Sequence, residues 1–418
     1  MTDPHTSMTP PDEERAVAFL LDLARALHLA YLPAPAVEEH LRRAARAWGL
    51  RVQVFTLQSL VVTEVVSGAP RRVDMERLPF NPHWNLWRTA RLLELSRTLA
   101  AGSLQVAEAR AELDRIVAAR PLYSHALVFL AYAVYGAVVA ARVGGAWLEM
   151  SVAAVIGFLA GIIHFGTIRS MRVDLQKSFL AAFVGTLVAF GFTTVLPQFD
   201  APRAVFGGAT LLVPAMVVTL GTHELVTESV EAGMTRLVYG LLRFLMLGAG
   251  MLGAVRLWQV FLPLPDSTAA SPLPMGAVLG LVALGGVALV FCMGVRWREI
   301  PWVIGAVLLA YGTQELTKVI FGGRGSPILS AFVIGIAGIL YGRLPGRMPT
   351  TVIMPGLLQL VPGFLGTQAI LGLLGASEAG DGAHVFDMLM VVLQIVMGLV
   401  FAHILALPRA EPRVRQPV

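Results

Sequence analysis

The chain has 418 residues, of which 56% are hydrophobic and only 14% charged, with a mean hydropathy of +0.70 and a formal net charge of +5. Water-soluble globular chains are about 45–50% apolar and about 25% charged, so this composition excludes a wholly soluble enzyme or binding protein and points to lipid. The pI near 9.7 does not imply nucleic acid as a partner, because the basic residues form no run or stripe.

Charge is unevenly spread. Residues 1–120 hold 15 Arg and 14 acidic residues, whereas the remaining 298 residues hold 17 basic and 13 acidic ones. A charge-dense third therefore precedes an apolar remainder, with the boundary near Pro121. Residues 1–14 read as a disordered N-terminus, and Met1 to Arg15 lack the basic and apolar regions of a cleavable signal peptide, so the first membrane helix would act as the signal. The single Cys292 lies in an apolar run and allows neither an intrachain disulfide nor a CxxC metal site. No metal and no cofactor is implied.

Residues 15–120 read as a small cytoplasmic α+β domain. Val17, Leu20, Leu21, Leu23 and Leu27 make a helical stripe within Glu14 to Leu32. Ala36 to Leu50 forms a second amphipathic helix, with Val37, Leu41, Ala44 and Ala45 opposite Glu38, Glu39, Arg42, Arg43 and Arg46. The period then changes to that of strands at Arg51 to Thr56 and Leu60 to Val66, and a third runs through Arg72 to Glu76. Asn85 caps a helix to about Ala101, and Gln105 to Ala119 gives another. His28, His40 and His83 are too scattered for metal ligation, and no phosphate loop or nucleophile elbow is present.

Ten spans of bilayer length follow, at about 122–142, 147–168, 178–197, 204–221, 237–260, 273–294, 301–320, 326–342, 350–374 and 383–407. They divide into a five-helix unit over 121–262 and another over 263–408, with a tail over 409–418. With the N-terminal domain in the cytoplasm, inward connections and the tail carry 11 basic residues and outward ones carry four, Arg142, Arg203, Lys318 and Arg324. This asymmetry places both termini inside.

Five helices per unit makes the second unit inverted with respect to the first. Two short matches support a repeat: Ala182–Phe183–Val184–Gly185 against Ala331–Phe332–Val333–Ile334–Gly335, and Leu212–Val213–Pro214 against Leu360–Val361–Pro362. Proline removes an N–H and clashes with the carbonyl one turn back, so Pro214 and Pro362 each interrupt a span. Freed backbone groups are tolerated in a membrane only against protein or a water-filled cavity. Paired interruptions in two halves point to a substrate site near the midplane, although each is also compatible with a packing kink.

Leu212–Val213–Pro214, then Glu224 and Gly233–Met234–Thr235–Arg236, and Leu360–Val361–Pro362–Gly363 resemble the bacterial threonine/serine exporter family. So do Ala36–Val37–Glu38–Glu39–His40–Leu41 running into Val52–Gln53–Val54, and the Asn85–Leu86 helix with Glu108–Ala109 and Leu113 downstream. The resemblance covers nearly the whole chain, in a fused arrangement of cytoplasmic domain plus two five-helix units. One departure is Ala215, where the family usually has Gly after Pro. The resemblance implies proton-motive-force-driven export of threonine and serine across a bacterial inner membrane, while some relatives are linked to dicarboxylates. The partners implied are a small polar amino acid, protons and the lipid bilayer; a homo-oligomer is compatible with the sequence.

The substrate candidates are Pro214, Thr219, Gln359, Pro362, Gly363, Thr367 and Gln368, with Arg243 as the partner of a substrate carboxylate or of Glu224. Hydroxyl and amide groups suit a hydroxylated amino acid, and equally suit interhelical hydrogen bonds. Among ionisable groups in or near spans, Glu224 and His164 are the preferred proton carriers, followed by Glu315 and Asp387. Lys318 stands one turn from Glu315 and makes a structural ion pair the competing reading, and Glu149, Arg256 and Asp387 lie near span ends. Gly157–Gly161, Gly276–Gly280 and Gly338–Gly342 have the spacing of close helix packing. A membrane sensor or enzyme that works through its N-terminal domain is the alternative from another class.

Overall fold

The structure, a computed structural model, describes residues 10–30, 32–57, 59–66, 72–78, 85–166, 174–196, 199–227, 229–265, 271–321, 326–344, 346–360 and 383–406. The N-terminal domain runs α1 (Pro10–Leu29), α2 (Ala34–Ala47), β1 (Arg51–Leu57), β2 (Leu60–Val66), β3 (Arg72–Arg77), α3 (Leu86–Ala100) and α4 (Val106–Ala118). The described part of α1 is already helical at Pro10, four residues before the expected Glu14 and within the stretch expected to be disordered, and it carries Asp12 and Glu13. The three strands form an antiparallel meander in the order β1-β2-β3, with Val52 opposite Val65 and Thr63 opposite Asp74. Phe19, Leu20, Leu23 and Leu27 of α1 pack on Val37 and Leu41 of α2, Val52 and Val65 of the sheet, and Leu92 and Leu99 of α3. Each such leucine contributes about 1.5–3 kcal/mol by leaving water. Asn85 caps α3 as its sequence indicates, its Oδ1 accepting from the Arg88 N–H at 3.0 Å.

The apolar remainder contains α5 (His125–Arg142), α6 (Trp147–Gly166), α7 (Asp174–Thr193), α8 (Ala201–Ala209), α9 (Ala215–Val226), α10 (Val230–Gln259), α11 (Met275–Cys292), α12 (Ile300–Phe321), α13 (Ser326–Gly342), α14 (Thr350–Leu360) and α15 (Ala383–Ala406). Among the described residues, seven helices are long and apolar enough to cross a membrane: α5, α6, α7, α10, α11, α12 and α15. Helices α8 and α9 together make one more, bent by 55°, and α13 and α14 are shorter apolar helices. Ten spans were expected; seven unbroken ones are found, since the fourth is bent and the eighth and ninth are short over their described lengths. Leu130, Val155, Phe158, Val238, Leu316 and Ile404 are exposed on the outer faces, where a bilayer would cover them.

Neighbour relations recur between the two sets of helices. In the first set α5 packs on α6, α6 on α7 and α8, and α7 on α8 and α10; in the second α11 packs on α12, α12 on α13 and α14, and α13 on α14 and α15. Small residues mark equivalent contacts. Gly136 of α5 faces the Ala153 carbonyl of α6, and Gly286 of α11 faces the backbone of Ile304 in α12. Gly250 of α10 lies against the Phe179 carbonyl of α7 with no room for a Cβ, and Gly398 of α15 lies the same way against the Ile328 carbonyl of α13.

The N-terminal domain sits on the helices through the N-termini of two of its own. The first N–H groups of α3, on Leu86 and Trp87, donate to the carbonyls of Met293 and Gly294 at the end of α11, at 2.9 and 3.1 Å. These are groups that each helix leaves unpaired by itself. Met348, between α13 and α14, is buried in the domain core, and the Tyr123 hydroxyl donates to the Val295 carbonyl at 2.6 Å. The domain thus shares a face with the start of α10, which carries Arg236, and with the connections that carry Arg296 and Arg347.

Candidate functional site

The break expected at Pro214 is present. Helix α8 opens at Asp200, whose Oδ1 accepts from the Arg203 N–H, and gives way after Ala209 to a 3-10 turn over Thr210–Leu212. Val213 is extended, at φ −64° and ψ 126°, and α9 restarts after Pro214. In the second unit α14 is helical from Thr350 to Leu360 and tolerates Pro355 inside it. Pro362, Gly363, Thr367 and Gln368 lie outside the described residues.

The helix interrupted at Pro214 faces α14. Met216 and Leu220 of α9 share an apolar cluster with Leu357 and Leu360 of α14. Leu211 and Val213 at the break join Met354 and Leu358 around Tyr135 and Tyr311. Gln359 is therefore buried, only 3% exposed. Its carbonyl accepts from Arg142 Nη2 at 2.8 Å, and the guanidinium lies 5.6 Å over the Tyr311 ring. Its side-chain amide lies within hydrogen-bonding reach of the Tyr135 hydroxyl, whereas the buried Nε of Arg142 has no hydrogen-bond partner among the described residues. Glu315 lies within electrostatic range of Arg142. The sequence reading placed Arg142 among outward-facing border residues and gave it no role; the available signal was an Arg ending an otherwise uncharged span.

A cavity of about 760 Å³ opens between α9, α13, α14, α15 and the N-terminal domain. Thr219 lines it, along with His223, His403, Thr350, Met216 and Leu357. It reaches Met216, two residues past Pro214, and Leu357, two before Gln359. A second cavity, of about 780 Å³, lies between α5, α6, α11 and the domain, and His164 and Tyr132 line it. Ala30, Asn85 and Thr89 border both cavities.

The expected ionisable residues are dispersed. Glu224 sits at the domain interface: its Oε1 accepts from the Ala34 N–H at 3.0 Å, and its Oε2 is 2.9 Å from Arg236 Nε. Arg236 in turn donates to the Leu32 carbonyl at 3.2 Å. The partner of Glu224 is thus Arg236, whereas Arg243 reaches Ser178 Oγ at 3.3 Å and lies over the Tyr239 ring. Helix α10 begins at Val230 instead of 237, so Arg243 lies deeper than expected, thirteen residues in. His164 stacks on Tyr132 at 6.1 Å and lines the second cavity. Glu315 pairs with Lys318 at 2.6 Å, the structural alternative, and Asp387 is exposed near the start of α15. Thr219 and Glu224 both lie on the half-helix after Pro214, Glu224 at its domain end, and Gln359 lies on α14 packed against that half-helix; His164, Arg243 and Asp387 lie on other helices.

Comparison with known proteins agrees with this architecture. The chain belongs to the family described as "Putative threonine/serine exporter", whose model matches residues 18–258. That match spans the N-terminal domain and the helices through α10. Among curated proteins it is similar to a pheromone-regulated membrane protein 10 of Eremothecium gossypii, 23% identical over 375 residues, covering 84% of this chain and 49% of the relative. It is also 24% identical to the protein of the same name from Kluyveromyces lactis, covering 84% of this chain and 38% of the relative. An uncharacterised Schizosaccharomyces pombe protein is 24% identical, with 86% and 44% covered. The chain spans about half or less of the length of these relatives. No solved structure matches.

Proposed function

We propose that this protein is a secondary exporter of small polar amino acids, threonine and serine, driven by the proton motive force and working by alternating access between two inverted five-helix units. The observation that carries the reading is the packing of α14, with its buried Gln359 beside the Arg142 guanidinium, against the helix interrupted at Pro214. Recurring neighbour relations, and the matched contacts of Gly250 with Phe179 and Gly398 with Ile328, support the inverted repeat. The family match ends at residue 258, beside the end of α10, which supports a boundary between the units there. Proton carriage falls to His164, Glu224, Glu315 or Asp387, and substrate contact to Thr219, Gln359 and the segment through Pro362. On the positive-inside asymmetry the N-terminal domain is cytoplasmic, and the cavity beneath it is then the inward vestibule.

A dicarboxylate remains the second reading. A dianion calls for two cationic partners, and Arg142 and Arg243 both lie within the helices, so charge does not separate the two substrates. Uptake of labelled threonine, serine and succinate into inside-out vesicles, with and without a proton gradient, tests the proposal. Gradient-dependent accumulation of threonine and serine is expected; accumulation of succinate alone would favour the second reading, and accumulation of none would contradict transport.

A further inference from the structure

We infer that His223 of α9 and His403 of α15 form the site from which the driving proton leaves to the cytoplasm, and that proton and substrate take turns in the cavity these side chains line. The inference rests on the exporter reading above and adds the cytoplasmic end of its proton path.

Met216, Thr219, Leu220, His223 and Thr227 follow one another at helical spacing along α9 and line the 760 Å³ cavity together. His403 lines it from α15, which touches α9 deeper in the bundle through Val218, Met388 and Val392. The two rings lie within electrostatic range of each other. His223 Nδ1 is buried and has no hydrogen-bond partner among the described residues, although buried polar atoms are nearly always paired. A ring nitrogen with no fixed partner is available to take and release a proton. His164, Glu224, Glu315 and Asp387 are not among the residues that line this cavity, so a proton passing from them through it meets these two histidines. His125 and His164 are the rival pair in the second cavity, but among the described residues nothing of α8, α9 or α14 lines that one.

The other charged groups around α9 are engaged elsewhere. Glu224 pairs with Arg236 of α10, Arg243 reaches Ser178, Arg256 reaches Gln259, and Glu231 is exposed outside the lining. Glu315 of α12 pairs with Lys318, α14 carries no charged residue, and Asp387 stands at the opposite end of α15 from His403. Among the described residues the N-terminal domain adds no charged side chain to the lining, and Arg343, after α13, is the remaining cation there. Two imidazolium ions at this range repel each other, and the Arg343 guanidinium adds to the repulsion, so the pair is built to carry one proton. Histidine is also the side chain whose ordinary titration lies nearest neutral pH. Exchange of substrate for proton requires that the protonated and the substrate-loaded carriers be alternatives. A proton held in the cavity that reaches the half-helix beyond Pro214 meets that requirement, and its release to the cytoplasm precedes loading.

The test uses inside-out vesicles from cells that make the full chain, in which the medium meets the cytoplasmic face. Two quantities are measured for each protein: accumulation of labelled threonine driven by a proton gradient, and threonine counterflow with no gradient. Wild-type counterflow should slow as the medium is acidified from about pH 8 to about pH 5.5, across the ordinary range of histidine. His223→Gln and His403→Gln should each lose accumulation, retain counterflow and flatten its pH profile. A side chain needed only for packing would lower both activities together and leave the shape of the profile unchanged. If one glutamine variant does not insert, the other decides, and the wild-type profile needs neither. Wild-type counterflow without acid inhibition overturns the inference and leaves the exporter reading intact. So do inserted variants that accumulate threonine as the wild type does, or that lose both activities together. A wild type with neither accumulation nor counterflow overturns both.

Discussion

Glu224 and Arg236 meet at 2.9 Å in a fully buried pair, one at the end of α9 and the other in the second turn of α10, and each also holds a backbone group of the N-terminal domain. Glu224 caps the first turn of α2 and Arg236 takes the Leu32 carbonyl just before it. This single pair therefore ties the half-helix beyond Pro214 to the domain that roofs the cavity.

Removing one charge from a buried pair leaves the other uncompensated, at a cost of about 3–5 kcal/mol. Glu224→Gln should lower the melting temperature and speed proteolysis between Ala119 and Ser124, where the domain joins α5. The double variant Glu224→Gln/Arg236→Gln should lose less than the sum of the single ones. Additive losses would show that the two side chains act separately.

Pro214→Ala should heal the break between α8 and α9, because alanine restores an N–H and is the better helix former. Membrane insertion should stay near normal while threonine transport falls. Pro362→Ala should cost more, since Gly363 leaves the backbone bare where Ala215 does not. Full export by the Pro362→Ala protein would reduce that interruption to a packing kink.

Gly250 and Gly398 each lie against a carbonyl of a neighbouring helix, and the proposed inverted repeat makes these positions equivalent, so substitutions at them should have similar effects. A leucine at either position has no room against the facing carbonyl, and overpacking of this kind costs about 1–3 kcal/mol. Thermal melting of Gly250→Leu and Gly398→Leu should show comparable losses. Tolerance at one position only would argue against the inverted repeat.

Acid should loosen the N-terminal domain at α2. Burial, together with the charges of Arg97 and Arg43, holds His40 below the usual histidine value of 6.5, against a smaller opposing effect of Glu39. The unfolded domain then binds the proton more readily than the folded one, so this contribution is full above about pH 6.5 and is lost as pH falls through the interval below it. Hydrogen exchange in the α2 segment, corrected for intrinsic rates, should increase from pH 7 to pH 5.5 in the wild type and less so in His40→Asn. Equal increases in both would remove His40 as the cause.

Much of the architecture is legible in the sequence, for identifiable reasons. Pattern alone locates α5 and α11, because each is an uninterrupted apolar run ended by Gly or charge, and Pro214 marks its break, although Pro355 inside α14 shows that a proline need not make one. The partner of Glu224 was not legible. Arg236 and Arg243 are two turns apart on one helix, and only the packing of the N-terminal domain, through Leu32 and Ala34, selects between them. Arg142 was missed for a related reason: a charge at a span end reads as anchored in the interface, and only the position of α14 brings the Gln359 carbonyl to it.

The central claim is that this chain alone moves threonine across a bilayer, and counterflow tests it most directly. Purified protein in liposomes loaded with unlabelled threonine is diluted into a trace of labelled threonine, with no gradient imposed. An alternating-access carrier predicts a transient internal excess of label, abolished by omitting internal threonine. Label entering no faster than in protein-free liposomes would contradict the account.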